Sequence, residues 1–413
     1  MPVTLARRSK LRQFVSRLRR SPAVQYAQGV LELRRRSIEQ RRARRFVVGA
    51  WRTTPAYLRA AAGRGEVAGP RHPRGIFHVP GPTYVPGSAE ASVGEPMGVR
   101  FDPGPVYRLR GALVVPPHGA IIGADRRLLW DLSYDWPGRL YQHSAYSMAT
   151  PREVSLDGPV ITLAAMAAGG NYFHFLFNSV ARLVYLPQPR DIPPLTRWLV
   201  NGPVTPLVAE AFALFGLDPQ QLIDVNAAPA WRVADLLAPP LIQNQFVVPP
   251  HACEFLRRHV LPHTTCRERR RRIFVDRSDA PRRQIANLRS LEAALERFGV
   301  EVVQLTGLSL VDQASLFRSA ELVIANHGAA LSNLVFCEPR TRVIQILAPG
   351  MMEREYRTLS HHGGLRHDYL VAPFARADDE HLPVKDRDLA LDPDFLQQTL
   401  KREGWLRSLS GCP

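Results

Sequence analysis

The sequence is poor in cysteine and in long apolar runs, and both scarcities narrow the kind of protein it encodes. Four cysteines occur among 413 residues, and their spacing forms no disulfide framework, which favours a reducing compartment. The longest apolar run, 160–168, is about half the roughly 18 residues that a membrane-spanning helix needs. The N-terminus lacks the charged-then-apolar pattern of a signal peptide. We therefore expect a cytoplasmic protein that does not span a membrane.

Lysine is also scarce, since only three of the 54 basic residues are lysine. Arginine therefore supplies nearly all of the net charge of +17. Residues 1–50 hold 14 basic residues and two glutamates, a net of +12, which leaves +5 for the other 363 residues. Because the excess lies in one arm and no recognised nucleic-acid-binding module is present, no nucleic-acid partner is expected.

The basic arm itself carries a helical pattern. Within residues 1–45, four apolar residues have the i, i+3, i+4, i+7 spacing of one helix face: Leu11, Phe14, Val15 and Leu18. With arginines around them, they predict a short basic amphipathic helix. Two interpretations stay open. The arm lies on anionic lipid at the inner face of a membrane, or it is a solvated helix or tail that contacts only its own protein.

The rest of the chain predicts an α/β protein in two parts. From residue 271, strand patterns (272–276, 300–305, 322–325, 343–347) alternate with helix patterns (285–298, 309–319, 329–336). Such alternation is typical of a parallel, Rossmann-like sheet. Upstream, the chain predicts strands at 160–168 and 198–200 and helices at 172–186 and 204–215. We divide the chain into a partly helical basic arm (1–60), an N-terminal α/β domain (61–255) and a C-terminal Rossmann-like domain (256–413).

Two segments place polar residues at predicted carboxyl ends of strands, where parallel α/β sheets bind ligands. Arg277 follows the strand 272–276, and arginine can hold a diphosphate through paired hydrogen bonds. His327 and Gly328 follow the strand 322–325 directly before a helix, whose N-terminus favours an anion. The alternative interpretations are a surface arginine and a tight turn with a satisfied histidine.

A third segment opens the predicted helix 172–186. His174, Asn178 and Arg182 are spaced four residues apart, which places a polar stripe on an otherwise apolar helix. Such a stripe is typical of a cleft wall. The alternative is a buried histidine within a core helix.

Together these segments resemble the family 61 glycosyltransferases, whose N-terminal signature reads roughly Asn-Tyr-x-His-Trp-x-x-Asp-x-x-Pro-Arg. The third segment has Asn171 to Phe175, Asn178 and Arg182 in that order. The family's later motifs match Arg277, Arg282 or Arg283, Asn287, the corner His327-Gly328-Ala329, and Asn333. The sequence departs from the pattern at Asn178, Ala181, Leu288 and Gln345, which stand where the family usually has Asp, Pro, Glu and Glu.

The resemblance implies a GT-B-like enzyme with two Rossmann-like domains facing a cleft. It would transfer a sugar from a nucleotide-sugar donor to a saccharide or lipid-linked acceptor, with inversion, in cell-surface polysaccharide synthesis. The resemblance implies no cofactor. It also implies transfer without a metal ion, so we expect no metal site. Asp386-Arg-Asp388 has the spelling of a metal-binding Asp-x-Asp, but no strand pattern precedes it, so we interpret it as solvated.

The resemblance also suggests roles for individual residues. The donor diphosphate is expected on six of them: Arg277, Arg282, Arg283, Gly328, Ala329 and Asn333. The catalytic candidates are His174 as the first choice of base, Asp279 as the second, and His327 assisting at the diphosphate. The cleft walls are assigned Asn171, Asn178, Arg182 and Asn287. The lost acidic positions leave open a catalytically silent nucleotide- or sugar-binding relative.

Overall fold

The computed structural model describes residues 46–61, 63–69, 75–89, 96–135, 140–188, 191–242, 247–265, 271–351 and 353–402. The predicted helix of the basic arm lies outside these residues. The described chain is an α/β structure with one large mixed sheet and one parallel sheet. Within the described ranges, no helix has the length and apolar character needed to cross a membrane.

The large sheet has nine strands, numbered along the chain: β1 (Gly49–Trp51), β2 (Gly65–Val67), β5 (Tyr107–Val115), β6 (Ala120–Ile122), β7 (Arg127–Leu129), β8 (Glu153–Thr162), β9 (Arg197–Val200), β10 (Leu222–Asp224) and β11 (Ala230–Ala238). They run in the order β1-β7-β6-β5-β11-β8-β9-β10, with β2 paired to β5. Strands β8 to β11 include only parallel pairings among themselves, whereas β5 runs antiparallel to β11. The sheet is therefore mixed.

The second sheet is parallel throughout, in the order β13-β12-β14-β15-β16. Its strands are β12 (Arg271–Val275), β13 (Val300–Val303), β14 (Ala320–Asn326), β15 (Arg342–Leu347) and β16 (Arg366–Val371), and a separate ribbon pairs β3 (Gly75–Val79) with β4 (Met97–Phe101). Counted from β12, the order is 2-1-3-4-5, that of a doubly wound sheet. In such a sheet the direction of winding reverses between β12 and β14, and ligands bind at that point.

The α-helices are α1 (Thr54–Ala60), α2 (Tyr172–His174), α3 (Pro206–Leu214), α4 (Pro250–Val260), α5 (Leu288–Arg297), α6 (Leu310–Arg318), α7 (Glu355–Gly363) and α8 (Pro393–Arg402). Helix α2 continues as a π turn (Phe175–Ser179) and a 3₁₀ turn (Val180–Tyr185). Other 3₁₀ segments are Trp130–Leu132, Leu140–Gln142, Ser144–Ser147, Pro219–Gln221, Val225–Ala227, Leu261–His263, Ala329–Phe336, Ala377–His381 and Val384–Asp386.

One hydrophobic core joins the layers beside both sheets. It includes Phe173 and Phe177 of the α2 segment, Phe212 of α3, and Phe317 and Phe336 from the second half of the chain. A polar contact also crosses between the halves, because Glu210 on α3 accepts hydrogen bonds from the first N–H groups of α6. The two sheets are therefore held by shared packing as well as by the connecting chain.

The helix and strand predictions of the second half are confirmed with small shifts at the ends. Ser309 caps α6 as expected, with its Oγ accepting from the Asp312 N–H at 3.0 Å. Helix α5 begins at Leu288 instead of Ile285. Ile285 is drawn into a parallel bridge with Leu389, and the Ala286 N–H donates to the Leu389 carbonyl. A distant segment of chain therefore removes the first turn of that predicted helix.

Candidate active site

A cleft of about 590 Å³ lies where strands of both sheets end. One wall follows β8 and β9, and the other follows β12, β13 and β14. Of the predicted site residues, four line it: Asn171, Arg277, Asp279 and Ala329. Ligands in α/β proteins bind beyond the carboxyl ends of strands, so the cleft has the expected position for an active site.

Arg277 is the second residue after β12 and faces the cleft. Its Nε is shielded from solvent and has no hydrogen-bond partner among the residues that the structure describes. The guanidinium lies over Gly328, where a side-chain Cβ would fall 1.9 Å from Arg277 Nη1. Burial lowers the pKa of Arg277, yet an arginine remains charged under all ordinary conditions. The missing side chain of Gly328 therefore makes room for a buried cation.

Arg283 lies beside Arg277, outside the residues that line the cleft. It too has a shielded Nε without a hydrogen-bond partner. Burial lowers the pKa of Arg283, and the charge of Arg277 lowers it further. Neither arginine forms an ion pair or hydrogen bond with another described side chain. Asp279 attracts Arg277 and Asp386 attracts Arg283 from nearby, but two adjacent buried cations without an ion-pair contact still favour an anion.

Arg282 points elsewhere, although it stands between these two in sequence as the middle of a predicted trio. Its Nη1 donates to Asp386 Oδ1 at 2.6 Å, and its side chain is 53% exposed. Asp388 accepts from the Gln284 N–H at 2.8 Å. The interpretation of Asp386-Arg-Asp388 as simply solvated is therefore wrong, because both carboxylates anchor the loop that carries the arginines.

His327 follows β14 and lies near Arg277 and Arg283. We call these three residues the corner. Its Nδ1 lies 3.1 Å from Gln345 Nε2, and its ring meets Tyr356 edge-on at 5.2 Å. Burial lowers the pKa of His327 to about 3, with further contributions from Arg283 and Arg277. The ring is therefore neutral at physiological pH. It can donate one hydrogen bond to an anion, or accept one proton, but it does not add charge.

Asn333 has a different position from the one expected of a diphosphate ligand. It is fully buried, and its Oδ1 accepts from the Tyr172 hydroxyl at 2.8 Å. Its Nδ2 donates to Gln313 Oε1 at 2.9 Å and to the Ala330 carbonyl at 3.1 Å. Its polar groups are thus engaged within the protein. The arrangement ties the α2 segment to the short helix that follows His327.

The polar stripe of the α2 segment is buried and does not line the cleft. His174 Nδ1 pairs with Asn178 Nδ2 at 2.9 Å, and burial lowers the pKa of His174 to about 4. Arg182 is 1% exposed and donates to the carbonyls of Ala164, Pro239 and Pro240. Arg182 therefore holds together the loops that follow β8 and β11. The alternative of a buried core histidine describes this segment best.

The other two asparagines predicted for the cleft lie in different places. Asn171 is exposed at the cleft and caps α2, its Oδ1 accepting from the Phe173 N–H at 2.9 Å. Asn287 instead bonds Leu391 through both ends of its amide, at 2.7 and 2.9 Å. It lies outside the cleft lining and fastens the C-terminal segment to the start of α5.

Two carboxylates, Asp276 and Asp279, line the wall that follows β12. Burial alone would raise the pKa of Asp276, but hydrogen bonds from Ser278 and Gln304 outweigh it and leave that pKa below its usual value. Asp276 is therefore ionised and shapes the turn. Asp279 is exposed and accepts from the Thr306 hydroxyl through Oδ2. Its Oδ1 has no partner among the described residues.

Sequence reasoning missed Tyr356 and Gln345 as neighbours of the corner. Tyr356, on α7, is 4% exposed and lies close to both arginines and to the His327 ring. Nothing in the local pattern around Tyr356 marks it, because α7 reaches the site only through the fold. Gln345 had a detectable signal, since it is a polar residue in the middle of an apolar strand.

No cluster of three metal-ligating side chains occurs in the part of the chain that the structure describes. Metal independence stays a prediction.

Part of the chain matches a known protein family. The glycosyltransferase 61 family model matches residues 172–344. That range includes Arg277, Asp279 and His327, and it ends within β15. A search of curated proteins finds no match. The resemblance to this family that the sequence predicted is thereby confirmed over residues 172–344.

Proposed function

We propose that this chain, a glycosyltransferase of family 61, transfers a sugar from a nucleotide-sugar donor to a saccharide or lipid-linked acceptor with inversion. The observation that carries the proposal is the pair Arg277 and Arg283. Each has a buried Nε without a partner, and they lie beside a cleft at the switch point of a doubly wound sheet. A diphosphate supplies the missing negative charge and hydrogen-bond acceptors.

The diphosphate fits this corner for three physical reasons. Guanidinium groups bind phosphate oxygens through paired, charge-assisted hydrogen bonds. The short helix Ala329–Phe336 begins at the same place, so the positive end of its dipole adds to the attraction. The same groups stabilise the negative charge that grows on the departing nucleoside diphosphate during transfer.

Asp279 is better placed than His174 to act as the base. It lines the cleft with one carboxylate oxygen unoccupied by described residues, whereas His174 is buried outside the lining. The acceptor oxygen would bond to the anomeric carbon as the bond from that carbon to the phosphate oxygen breaks. The acceptor proton passes to Asp279, and the electron pair leaves with the diphosphate.

The arrangement of the two sheets supports a GT-B-like assignment of roles. The parallel sheet contributes the arginines and would hold the donor, within the predicted domain 256–413. The wall that follows β8 and β9, within 61–255, would hold the acceptor, and the sugar transferred to it would be a hexose or a pentose. That wall includes Asn171, which is exposed there and whose amide suits the hydroxyls of a sugar.

The cellular setting follows from the charge of the chain. Residues 1–50 carry a net charge of +12, which would attract the anionic inner face of a membrane. We propose that the enzyme works in the cytoplasm, peripherally on that face through residues 1–45, in cell-surface polysaccharide synthesis. A lipid-linked saccharide acceptor would lie on the same membrane face.

The test is donor turnover by the purified protein with a panel of nucleotide-sugars and saccharide acceptors. Asp279→Asn should lower kcat by about 10²–10⁴-fold, the usual contribution of a general base, with little change in donor KM. The control, Asp394→Asn, removes an exposed carboxylate on α8 and should behave as wild type. NMR of the product should show an inverted anomeric centre.

Three results would count against parts of this proposal. A product of retained configuration would contradict inversion. Full activity of Asp279→Asn would remove Asp279 as the base. Binding of nucleoside diphosphates without consumption of any donor would favour the alternative function, a catalytically silent nucleotide-binding relative.

A further inference from the structure

Gln345 lies directly behind His327 on a neighbouring strand. Strands β14 and β15 are parallel, with Ala325 opposite Gln345, so the glutamine side chain ends beside the residue that follows β14. Gln345 is fully buried, and its Nε2 lies 3.1 Å from His327 Nδ1. The contact is therefore fixed by strand register and by packing.

The contact determines where the imidazole proton sits. An amide NH₂ group can only donate, so His327 Nδ1 accepts, and the single proton of the neutral ring is carried by Nε2. Nε2 has no hydrogen-bond partner among the described residues. Toward an anion this tautomer presents an N–H group, whereas the opposite tautomer would present a lone pair.

The charges around His327 act in the same direction. Arg277 and Arg283 face it from the loop after β12, and the Tyr356 ring packs on it from α7. A glutamine carries no charge, so it does not offset these cations. Burial and the two arginines hold the pKa of His327 at about 3, far from the physiological range.

We propose that Gln345 is a positioning residue that keeps His327 neutral, with its Nε2–H donating to the bound diphosphate. This inference rests on the proposed function. It sets the charge of the corner at two, from Arg277 and Arg283. A neutral ring attracts the released nucleoside diphosphate less strongly than an imidazolium would, and so it eases product release.

The first test compares pyrophosphate affinity in wild type, Gln345→Glu and Gln345→Met between pH 5 and pH 8. A carboxylate beside His327 raises the pKa of the ring by about 1–3 units. Gln345→Glu should therefore bind most nearly like wild type at pH 5, where more of the ring is imidazolium and offsets the new charge. At pH 8 it should bind at least about threefold more weakly, because the carboxylate then stands uncompensated. Gln345→Met adds no charge, so the ratio of its affinity to that of wild type should be below one and should not change with pH.

A constant ratio between Gln345→Glu and wild type across this range would overturn the inference. The second test needs only wild type and does not depend on the variant folding. NMR of the His327 ring nitrogens, assigned by their loss in His327→Gln, should show the proton on Nε2 and no titration from pH 5.5 to pH 8. A proton on Nδ1, or a ring that titrates in this range, would contradict the inference.

The two proposals fail separately. If pyrophosphate does not bind wild type, or binds Arg277→Ala equally well, the diphosphate site is wrong while the NMR result still decides the state of His327. If pyrophosphate binding depends on Arg277 but the ratio is constant with pH, only the role of Gln345 is wrong.

Discussion

At the scale of single residues, Gly328 determines whether Arg277 can reach its position. A Cβ there would lie 1.9 Å from Arg277 Nη1, while the φ of 175° is extended backbone that any residue adopts. Gly328→Ala should therefore displace the guanidinium without straining the backbone. We expect pyrophosphate affinity to fall about tenfold, the loss of one charge-assisted contact, as measured by calorimetry.

The matched control for this change is Gly104→Ala. Its nearest neighbours would lie 3.8 Å or more from the new Cβ, an ordinary contact distance, so affinity should stay as in wild type. Equal affinity of Gly328→Ala and wild type would show that the position of Arg277 does not depend on this glycine.

The sequence predicted which residues lie at the corner, but it did not show which of two adjacent arginines points toward the corner. Arg277 and His327 were predictable because each follows a strand of a recognisable parallel sheet. Arg282 and Arg283 have the same chemistry, and only the fold turns one toward Asp386 and the other toward Arg277. His174 was overvalued because spacing shows which residues share a helix face but not what that face meets.

At the scale of secondary structure, the start of α6 is held by a side chain from the other half. Glu210 Oε2 accepts from the Leu310 N–H at 3.0 Å and Oε1 from the Val311 N–H at 3.3 Å. A carboxylate at a helix N-terminus satisfies open N–H groups and favours the helix dipole. Glu210→Ala should lower the free energy of unfolding by about 1–2 kcal/mol, measured by urea denaturation.

Glu292→Ala provides the comparison, because Glu292 is exposed on α5 with no hydrogen bond to another described residue. It should change the free energy of unfolding by less than about 0.5 kcal/mol. Equal effects of the two substitutions would mean that the contact between α3 and α6 does not stabilise the fold.

Elements with strong local patterns were predictable, and those defined by distant partners were not. Helix α6 has its cap and apolar face in one continuous stretch. Helix α7 and strand β16 were not predicted. In α7 the buried residues are Tyr356, Arg357, Thr358, Leu359 and Ser360. Three of these five are polar, so the sequence shows no apolar periodicity that would predict the buried face of the helix. The antiparallel pairing of β5 with β11 joins residues more than 100 positions apart, which local periodicity does not reveal.

At the scale of the whole molecule, a buried carboxylate links stability to pH. Burial, then the nearby Glu355, raises the pKa of Glu353. The folded state therefore keeps its proton at pH values where the unfolded chain has lost it. This contribution is complete below the ordinary carboxyl pKa and is lost as pH rises toward the raised value.

Glu353→Gln mimics the protonated form at every pH. Between pH 5 and pH 8, the free energy of unfolding should fall about 1–2 kcal/mol less in the variant than in wild type. Urea denaturation at three pH values measures the difference. Parallel curves for the two proteins would show that Glu353 does not take up a proton on folding.

The most direct test of the diphosphate site is thermal stabilisation by nucleoside diphosphates in wild type, Arg277→Ala and Arg271→Ala. A ligand that binds only the native state raises the melting temperature. Arg271 begins the same strand but pairs with Glu301 at the surface, so its loss should leave the shift intact. We predict a shift with at least one nucleoside diphosphate that persists in Arg271→Ala and disappears in Arg277→Ala. An equal shift in all three proteins would contradict the assignment of Arg277 to the donor diphosphate.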